Sequence, residues 1–162
     1  MNKLYIMIGA PGSGKTTWCK KNVPKEAVYI SRDEIRFNML EENDDYFSKE
    51  DSVYTEFIRQ ISEALAAGFD VYADQTSLDK AARSKLIRSL YAKPEEINAI
   101  WIKRPLKVVL EYNKKRSGRA LVPDHIVRQM WYRTERPTAA EGIDNLEIIE
   151  ENSCTHINLK EA

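Results

Sequence analysis

A stretch near the N-terminus has the residue types and spacing needed to bind the phosphate groups of a nucleotide. Residues 9–16 read GAPGSGKT and match the pattern G-x-x-x-x-G-K-S/T at every fixed position. Glycines leave room for backbone N–H groups to approach phosphate oxygens, Lys15 can reach the terminal phosphates, and the Thr16 hydroxyl can ligate Mg²⁺. The apolar run before the motif and the helical segment after it argue against a chance glycine turn. The residues expected to contact the nucleotide are Gly12, Ser13, Gly14, Lys15, Thr16 and Thr17.

A second group of reactive side chains follows the next apolar run. Residues 31–36 read SRDEIR, in which Ser31 and Glu34 have the spacing of a helix capping box. A helix that starts at Ser31 places Asp33 and Arg36 one turn apart on the same face. Asp33 can then accept the proton of an acceptor hydroxyl, and Arg36 can bind an anionic part of the acceptor. The alternative is a surface helix cap with a local Asp–Arg ion pair.

The elements that must position these groups alternate between short apolar strands and amphipathic helices. Apolar residues recur at helical intervals from residue 52, Gly68 provides a stop, and further helices are expected at 78–91, from 105, and at 124–136. This alternation predicts an α/β fold in three layers, with a five-stranded parallel sheet covered on both faces. The phosphate loop, Asp33 and Asp74 each follow a predicted strand, so they should meet at one sheet edge. The strands are predicted at residues 4–8, 27–30, 69–73, 97–102 and 146–149.

Length and charge restrict the possible classes. A chain of 162 residues suits a single domain covering residues 1–162. The 25 Lys and Arg residues balance the 25 Asp and Glu residues, so a general nucleic-acid coat is not indicated and any polyanion must be held by a local basic patch.

The cysteines and the apolar N-terminal run bear on metal binding and location. Cys19 and Cys154 lie far apart and lack metal-ligand spacing, and with His125 and His156 as the two histidines we do not expect a zinc site. The run at residues 4–8 is too short for a signal sequence or a membrane span. These features predict a cytoplasmic protein without a membrane partner.

Several classes of phosphate-loop protein are disfavoured by the rest of the sequence. A GTPase would carry N-K-x-D and D-x-x-G motifs, but residues 113–116 read NKKR and no glycine has an aspartate three positions earlier. A motor or remodelling ATPase commonly has a glutamate after its strand-end aspartate, whereas Gln75 follows Asp74. The remaining class is a phosphotransferase, in which an acceptor hydroxyl replaces water.

Several segments together resemble the kinase domain of the 5′-hydroxyl polynucleotide kinase family. They read GAPGSGKTTW, SRDEIR, YADQTS and NKKRSGRALVP, and the EGI within ERPTAAEGID resembles the segment after the family's lid. The similarity extends from residue 1 to about residue 149, and SRDxxR followed by an arginine-rich lid is more specific than the phosphate loop. The resemblance implies a nucleoside-monophosphate-kinase-like fold with a helical, arginine-bearing lid at about residues 112–136.

The same resemblance implies roles for individual residues. Asp33 would be the general base, and Arg36 would hold an acceptor phosphate beside the 5′ terminus. Lys15 and Thr16 would act on ATP and Mg²⁺. Asp74 matches a strand-end aspartate that organises the metal, its water or Lys15 next to the substrate; alternatively, it caps the helix that follows.

The basic segment at residues 114–119 matches the family's lid. Arg116 aligns with a lid arginine that stabilises charge on the transferring phosphoryl group, and Arg119 would be a second contact to the nucleotide. Gly118 offers a hinge for such a lid. The alternative interpretation is a solvated helix end.

The acceptor is the least determined part of the hypothesis. We expect the 5′-hydroxyl of a DNA or RNA oligonucleotide, with a nucleoside, sugar or other small alcohol as the first alternative and a non-catalytic nucleotide-binding module as the second. The sequence has no obvious track of aromatic and basic residues for single-stranded nucleic acid. Basic residues at 83, 85 and 88 fit the wet face of an amphipathic helix, and Trp101 and Trp131 fit the core.

Overall fold

Six strands and six α-helices make up the part of the chain that the computed structural model describes, residues 2–162; Met1 lies outside it. Within residues 2–162 no helix combines the length and the apolar character needed to cross a membrane. The strands are β1 Lys3–Ile8, β2 Val28–Ser31, β3 Val71–Asp74, β4 Glu96–Ile102, β5 Asn145–Ile149 and β6 Cys154–Asn158. The helices are α1 Lys15–Asn22, α2 Arg32–Met39, α3 Glu50–Ala66, α4 Lys80–Ser89, α5 Leu106–Lys114 and α6 Asp124–Arg133.

The strands form one sheet in the order β2-β3-β1-β4-β5-β6. The five predicted strands are present and pair in parallel, which confirms the α/β fold. The predicted number of strands is wrong by one, because β6 adds an antiparallel edge strand beside β5. Its sequence, CTHIN, is mostly exposed and only Ile157 packs against the core, so it lacks the apolar pattern by which the other strands are recognised.

The central strands are buried on both faces, as expected for parallel strands between helical layers. Leu4, Ile6 and Ile8 of β1 face a large apolar core that α3 completes with Phe57 and Leu65. On the opposite face, alternate residues of β1 and β4 pack against Cys19 of α1 in a smaller core. Strand β1 is thereby fixed in the middle of the sheet, and the phosphate loop begins where β1 ends.

Most helix boundaries follow the predicted caps. The Ser31 hydroxyl accepts a hydrogen bond from the Glu34 N–H at 3.2 Å, and Gly68 ends α3 with a φ of 88°. The helix predicted at 78–91 is shorter, because Asp79 caps it by accepting from the Ala82 N–H at 2.8 Å. The helix predicted to end at residue 136 ends at Arg133, before the segment turns back toward the sheet.

Candidate functional site

A cleft of about 930 Å³ lies at the carboxyl ends of the parallel strands. The predicted site residues surround this cleft, apart from Ser13, which is buried within the phosphate loop. The sequence therefore predicts correctly which distant segments meet. The predicted residues in its wall include Asp33, Arg36, Asp74, Arg116 and Arg119 beside the phosphate loop.

The phosphate loop has a conformation that glycine permits. Gly12 and Gly14 have φ values of 87° and 96°, in the left-handed region that other residues rarely adopt. A Cβ atom on Gly12 would also lie 2.6 Å from the Val109 carbonyl oxygen, so the loop packs tightly against α5. Ser13 is 2% exposed and its hydroxyl has no hydrogen-bond partner within residues 2–162. The glycine conformations and this buried hydroxyl fit a loop that wraps phosphate groups at the start of α1.

Lys15 lies along the loop that precedes it. Its ammonium group donates a hydrogen bond to the Gly9 carbonyl at 2.7 Å and lies 3.4 Å from the Ala10 carbonyl. Burial lowers the pKa of Lys15, while the carboxylates of Asp74 and Asp33 act in the opposite direction. A cation at this position complements the charge of a nucleotide phosphate.

Asp74 ends β3 and forms a hard oxygen site with Thr16. One carboxylate oxygen of Asp74 accepts hydrogen bonds from the Thr16 hydroxyl at 3.0 Å and the Tyr29 hydroxyl at 2.5 Å. The alternative in which Asp74 caps α4 is wrong, because Asp79 provides that cap. Burial, followed by the negative charge of Asp74, raises the pKa of Tyr29, so the phenol stays a donor. The Thr16 and Asp74 oxygens suit Mg²⁺, which prefers such ligands.

Asp33 lies in the first turn of α2 and presents a carboxylate to the cleft. Its side chain is 43% exposed. One oxygen accepts a 2.7 Å hydrogen bond from the Tyr46 hydroxyl and a contact from Arg36. The other oxygen lies 3.8 Å from the Arg116 guanidinium. The ion pair with Arg36 that the capping alternative requires is present, but Asp33 also faces the cleft, as the base hypothesis requires.

Arg36 is almost fully engaged within the protein. Its side chain is 6% exposed and its guanidinium makes two-pronged contacts with Glu50, at 3.1 Å from Nε and 2.9 Å from Nη2. The remaining nitrogen contacts Asp33 and Tyr46. Burial alone would raise the pKa of Glu50, but Arg36 and Arg32 outweigh it and hold this pKa below its ordinary value. The role of Arg36 in binding an acceptor phosphate stays a prediction.

The segment predicted as a lid, about residues 112–136, begins in the last turn of α5 and brings Arg116 close to Asp33. Ala10 of the phosphate loop packs against Val109 of α5 and Val127 of α6, which holds the base of the lid beside the loop. Arg116 reaches Asp33 from this side, whereas Arg119 donates to the backbone carbonyls between α2 and α3, at 2.9 Å to residue 44 and 3.3 Å to residue 41. The predicted contact of Arg119 with the nucleotide therefore remains untested.

Asn113 makes a buried contact within the predicted lid segment, which the sequence analysis missed. Its side chain is fully buried; the amide donates to the Val122 carbonyl at 2.6 Å and accepts from the Val122 N–H at 3.2 Å. These bonds tie the end of α5 to the segment that enters α6. A polar residue on the apolar side of the predicted helix was the available signal.

Arg83 contradicts the expectation of an exposed basic helix face. It is fully buried, and its Nε lies 2.6 Å from a carboxylate oxygen of Glu141, in the EGI segment. A second guanidinium nitrogen donates to the carbonyls of Ser77 and Leu78, each at 3.0 Å. The turn after β3 is thereby fixed, and its Thr76 carbonyl accepts a 3.1 Å hydrogen bond from the Gly9 N–H. The pair supports the phosphate loop from behind.

Comparison with known proteins relates this geometry to a family. Residues 4–137 match the family described as an AAA domain, which accounts for more than half of the chain. A chain of the Pnkp1/Rnl/Hen1 RNA repair complex matches over 82% of this protein with 20% identity and a TM-score of 0.66, and this protein spans 43% of that chain.

Two further structures match over most of both chains. A gluconokinase from Sinorhizobium meliloti 1021 shares 18% identity, with 93% of this chain and 83% of its own covered and a TM-score of 0.60. Chaetomium thermophilum Kti12, in complex with ADP-AlF3, shares 16% identity. The match covers 92% of this chain and 89% of the Kti12 chain, with a TM-score of 0.63. The chain belongs to the AAA-domain family matched by residues 4–137, and its fold is that of a kinase-like P-loop domain.

Proposed function

We propose that the protein transfers the γ-phosphoryl group of ATP to an acceptor hydroxyl. The observation that carries this proposal is the position of Asp33, whose partly exposed carboxylate lies in the same cleft as the phosphate loop. Water-activating ATPases need a polar group that orients water, whereas a kinase needs a base beside its acceptor. Asp33 supplies that base.

The donor side consists of the phosphate loop and its neighbours. The loop amides and Lys15 bind the phosphates, and the Thr16 hydroxyl with the Asp74 carboxylate would hold Mg²⁺. Bound Mg²⁺ neutralises charge on the phosphates. Tyr29 donates a hydrogen bond to the Asp74 carboxylate and so restricts its rotation, which keeps the carboxylate oriented toward Thr16.

On the acceptor side, Asp33 accepts the proton of the hydroxyl as its oxygen attacks the γ-phosphorus. A new P–O bond forms to the acceptor while the bond to the β-phosphate oxygen breaks, and ADP leaves with that electron pair. Arg116, on the lid side of the cleft, stabilises the charge on the transferring group. The Arg116 guanidinium lies 3.8 Å from Asp33, so both groups are near the proposed point of transfer, and a bound acceptor would have to separate them.

Arg36 positions the base in this proposal. The two-pronged contact with Glu50 fixes the guanidinium, and its remaining nitrogen holds one oxygen of Asp33. Tyr46 donates to the same oxygen, so the second oxygen, which lies 3.8 Å from Arg116, is the one that can accept from the acceptor hydroxyl. An acceptor phosphate would contact Arg36 only by competing with Glu50 or Asp33.

Our leading acceptor is the 5′-hydroxyl of a DNA or RNA oligonucleotide. The resemblance of the SRDEIR and lid segments to 5′-hydroxyl polynucleotide kinases supports it, and so does the similar fold of a chain in an RNA repair complex. A small alcohol is the second candidate, favoured by the engagement of Arg36 within the protein and by the fold of the gluconokinase.

The test is a transfer assay with γ-labelled ATP and Mg²⁺. One arm offers 5′-hydroxyl DNA and RNA oligomers, and the other offers nucleosides, sugars and polyols. Label on the oligomers supports the leading acceptor, and label confined to small alcohols replaces it with the second. Tight ATP binding with no label on any acceptor would contradict transfer and favour a nucleotide-binding module.

A further inference from the structure

A cluster of three metal-ligating side chains lies on the β5–β6 edge of the sheet, outside the cleft. Glu147 of β5 is paired directly with His156 of β6 in the antiparallel register. Cys154 lies two residues before His156 and therefore projects from the same face of the strand. Spacing along the chain shows the Cys-x-His pair but not the carboxylate, because the third residue comes from the neighbouring strand.

The distances within the cluster suit a single ion. The Cys154 thiol lies 3.2 Å from a Glu147 oxygen and 3.5 Å from a His156 ring nitrogen. The ligand atoms of all three residues lie within 4.8 Å of one another. Bonds of about 2.3 Å to sulfur and about 2.0 to 2.1 Å to nitrogen or oxygen put tetrahedral zinc ligands roughly 3.4 to 3.6 Å apart. Because the present distances are close to this spacing, we expect side-chain rotations alone to bring the three atoms to it.

We propose that Glu147, Cys154 and His156 bind one divalent cation of the zinc class, with a water molecule as the fourth ligand. Thiolate, imidazole and carboxylate together favour Zn²⁺ over Mg²⁺ or Ca²⁺, which prefer oxygen ligands alone. The thiol donates its hydrogen to Glu147, and binding displaces that proton to solvent, leaving the thiolate on the metal.

The surroundings of the cluster leave the fourth coordination position of the proposed metal accessible. A groove of about 430 Å³ runs along the same sheet face, with Glu147 and His156 in its wall. Tyr5, Asn98 and Asn145 supply the polar groups nearby. None of the residues that line this groove also lines the ATP cleft, so the metal site stands independently of the proposed function.

A nucleophilic cysteine explains the cluster less well. A reactive thiolate needs a neighbouring group that takes its proton or stabilises its charge. Here His156 lies 3.5 Å from the thiol, but the thiol donates to the nearer carboxylate of Glu147, whose negative charge favours the protonated form. A bound cation removes this conflict because it is attracted to both the thiolate and the carboxylate.

The site can be tested with Co²⁺, which replaces Zn²⁺ and reports its own ligands. The reduced protein is stripped with a chelator and titrated in excess Mg²⁺, so that the oxygen site in the cleft is filled. We expect one Co²⁺ per chain, with the visible bands of tetrahedral cobalt and a thiolate charge-transfer band. Zinc should displace the cobalt and, at a hundredfold excess over its Kd, raise the unfolding midpoint by roughly 5 to 10 °C.

Matched variants separate the proposed site from adventitious binding. Cys154→Ser should remove the charge-transfer band, and His156→Gln should weaken binding at least tenfold while circular dichroism shows an intact fold. His125→Gln, which alters an exposed histidine outside the cluster, is the control and should bind as the wild type does. A charge-transfer band that survives Cys154→Ser, or the absence of the band in the wild-type protein, would overturn the proposal.

Discussion

Two arginine–glutamate pairs flank the strand that carries Asp74, and they differ in what surrounds them. Arg83 and Glu141 are both buried, with side chains 0% and 4% exposed. Arg36 is equally buried at 6%, but Glu50 is 27% exposed and the neighbouring Asp33 faces the cleft at 43%. Arg83 also donates to backbone carbonyls, whereas Arg36 also contacts the Asp33 carboxylate, whose second oxygen lies 3.8 Å from Arg116 in the cleft.

The comparison shows how the same ion pair can serve either the fold or the chemistry. Around Arg83 one further guanidinium nitrogen, Nη1, donates to two carbonyls of the turn that supports the phosphate loop. Around Arg36 they fix a group that lies in the cleft with the nucleotide site. Removing the first pair should therefore change stability, whereas disturbing the second should change catalysis first.

The largest effect is expected from Asp33, the carboxylate that Arg36 of the Arg36–Glu50 pair contacts. Asp33→Asn removes the base but keeps a side chain of the same size, so we expect transfer to fall by about 10²- to 10⁴-fold. ATP affinity and the unfolding midpoint should stay close to wild type, because Asp33 forms its contacts with Arg36, Tyr46 and Arg116 and, within residues 2–162, makes no hydrogen bond to the phosphate loop. Labelled-ATP transfer, calorimetric ATP binding and thermal unfolding measure the three quantities. Unchanged transfer would show that Asp33 is not the base.

The next largest effect is expected on stability, from the buried Arg83–Glu141 pair. Arg83→Met leaves the charge of Glu141 buried without its partner, and we expect the free energy of unfolding to fall by about 3 to 5 kcal/mol. The double variant Arg83→Met with Glu141→Gln should recover part of this loss, because no buried charge remains.

Denaturant unfolding measures the change, and an exposed arginine provides the control. Arg59→Met breaks contacts on the wet face of α3 and should leave the midpoint nearly unchanged. Equal losses for Arg83→Met and Arg59→Met would contradict the structural role of the buried pair.

The smallest effect on transfer is expected from disturbing the Arg36–Glu50 pair. Glu50→Gln keeps the size of the side chain but removes the charge that pairs with Arg36. Arg36 then holds Asp33 less firmly, so transfer should fall by roughly ten- to a hundredfold. Steady-state kinetics should place this loss mainly in kcat. Glu63→Gln, on the exposed face of α3, is the control, and equal kinetics for the two variants would contradict a positioning role.

The pH dependence of stability provides a second test of the Arg36–Glu50 pair. The pKa of Glu50 is held below its ordinary value of 4.5, so its ionised form stabilises the fold above that pH. This contribution disappears as the pH falls through the lowered pKa of the folded state. The stability difference between the wild type and Glu50→Gln should therefore be largest near neutral pH and shrink in acid, as followed by unfolding at a series of pH values.

The sequence predicts well which segments surround the cleft, because the signals for these segments are local. The phosphate loop occupies eight consecutive residues, and the cap at Ser31 acts over three. Strand ends could be placed from apolar runs, and the parallel arrangement then brings Asp33 and Asp74 together. These inferences need only short-range periodicity and one rule of topology.

The supporting partners could not be predicted because they depend on distant side-chain contacts. Tyr46 and Glu50 lie 13 and 14 residues from their partners, within residues 41–51, which in the sequence read only as a polar stretch. Arg83 has the helical position of a solvated residue, and its burial depends on Glu141, 58 residues later. A hydropathy pattern cannot distinguish a charged side chain in water from one that is buried with a counter-charge.

The two hydrogen bonds from Arg119 to the backbone at residues 41 and 44 bear on the order of events in the proposed reaction. They connect the predicted lid to the same loop that carries Tyr46. In a protein that transfers phosphate as proposed, opening of the lid would either break these bonds or pull that loop along. We therefore expect departure of one product to weaken the binding of the other, so that the two release steps are linked.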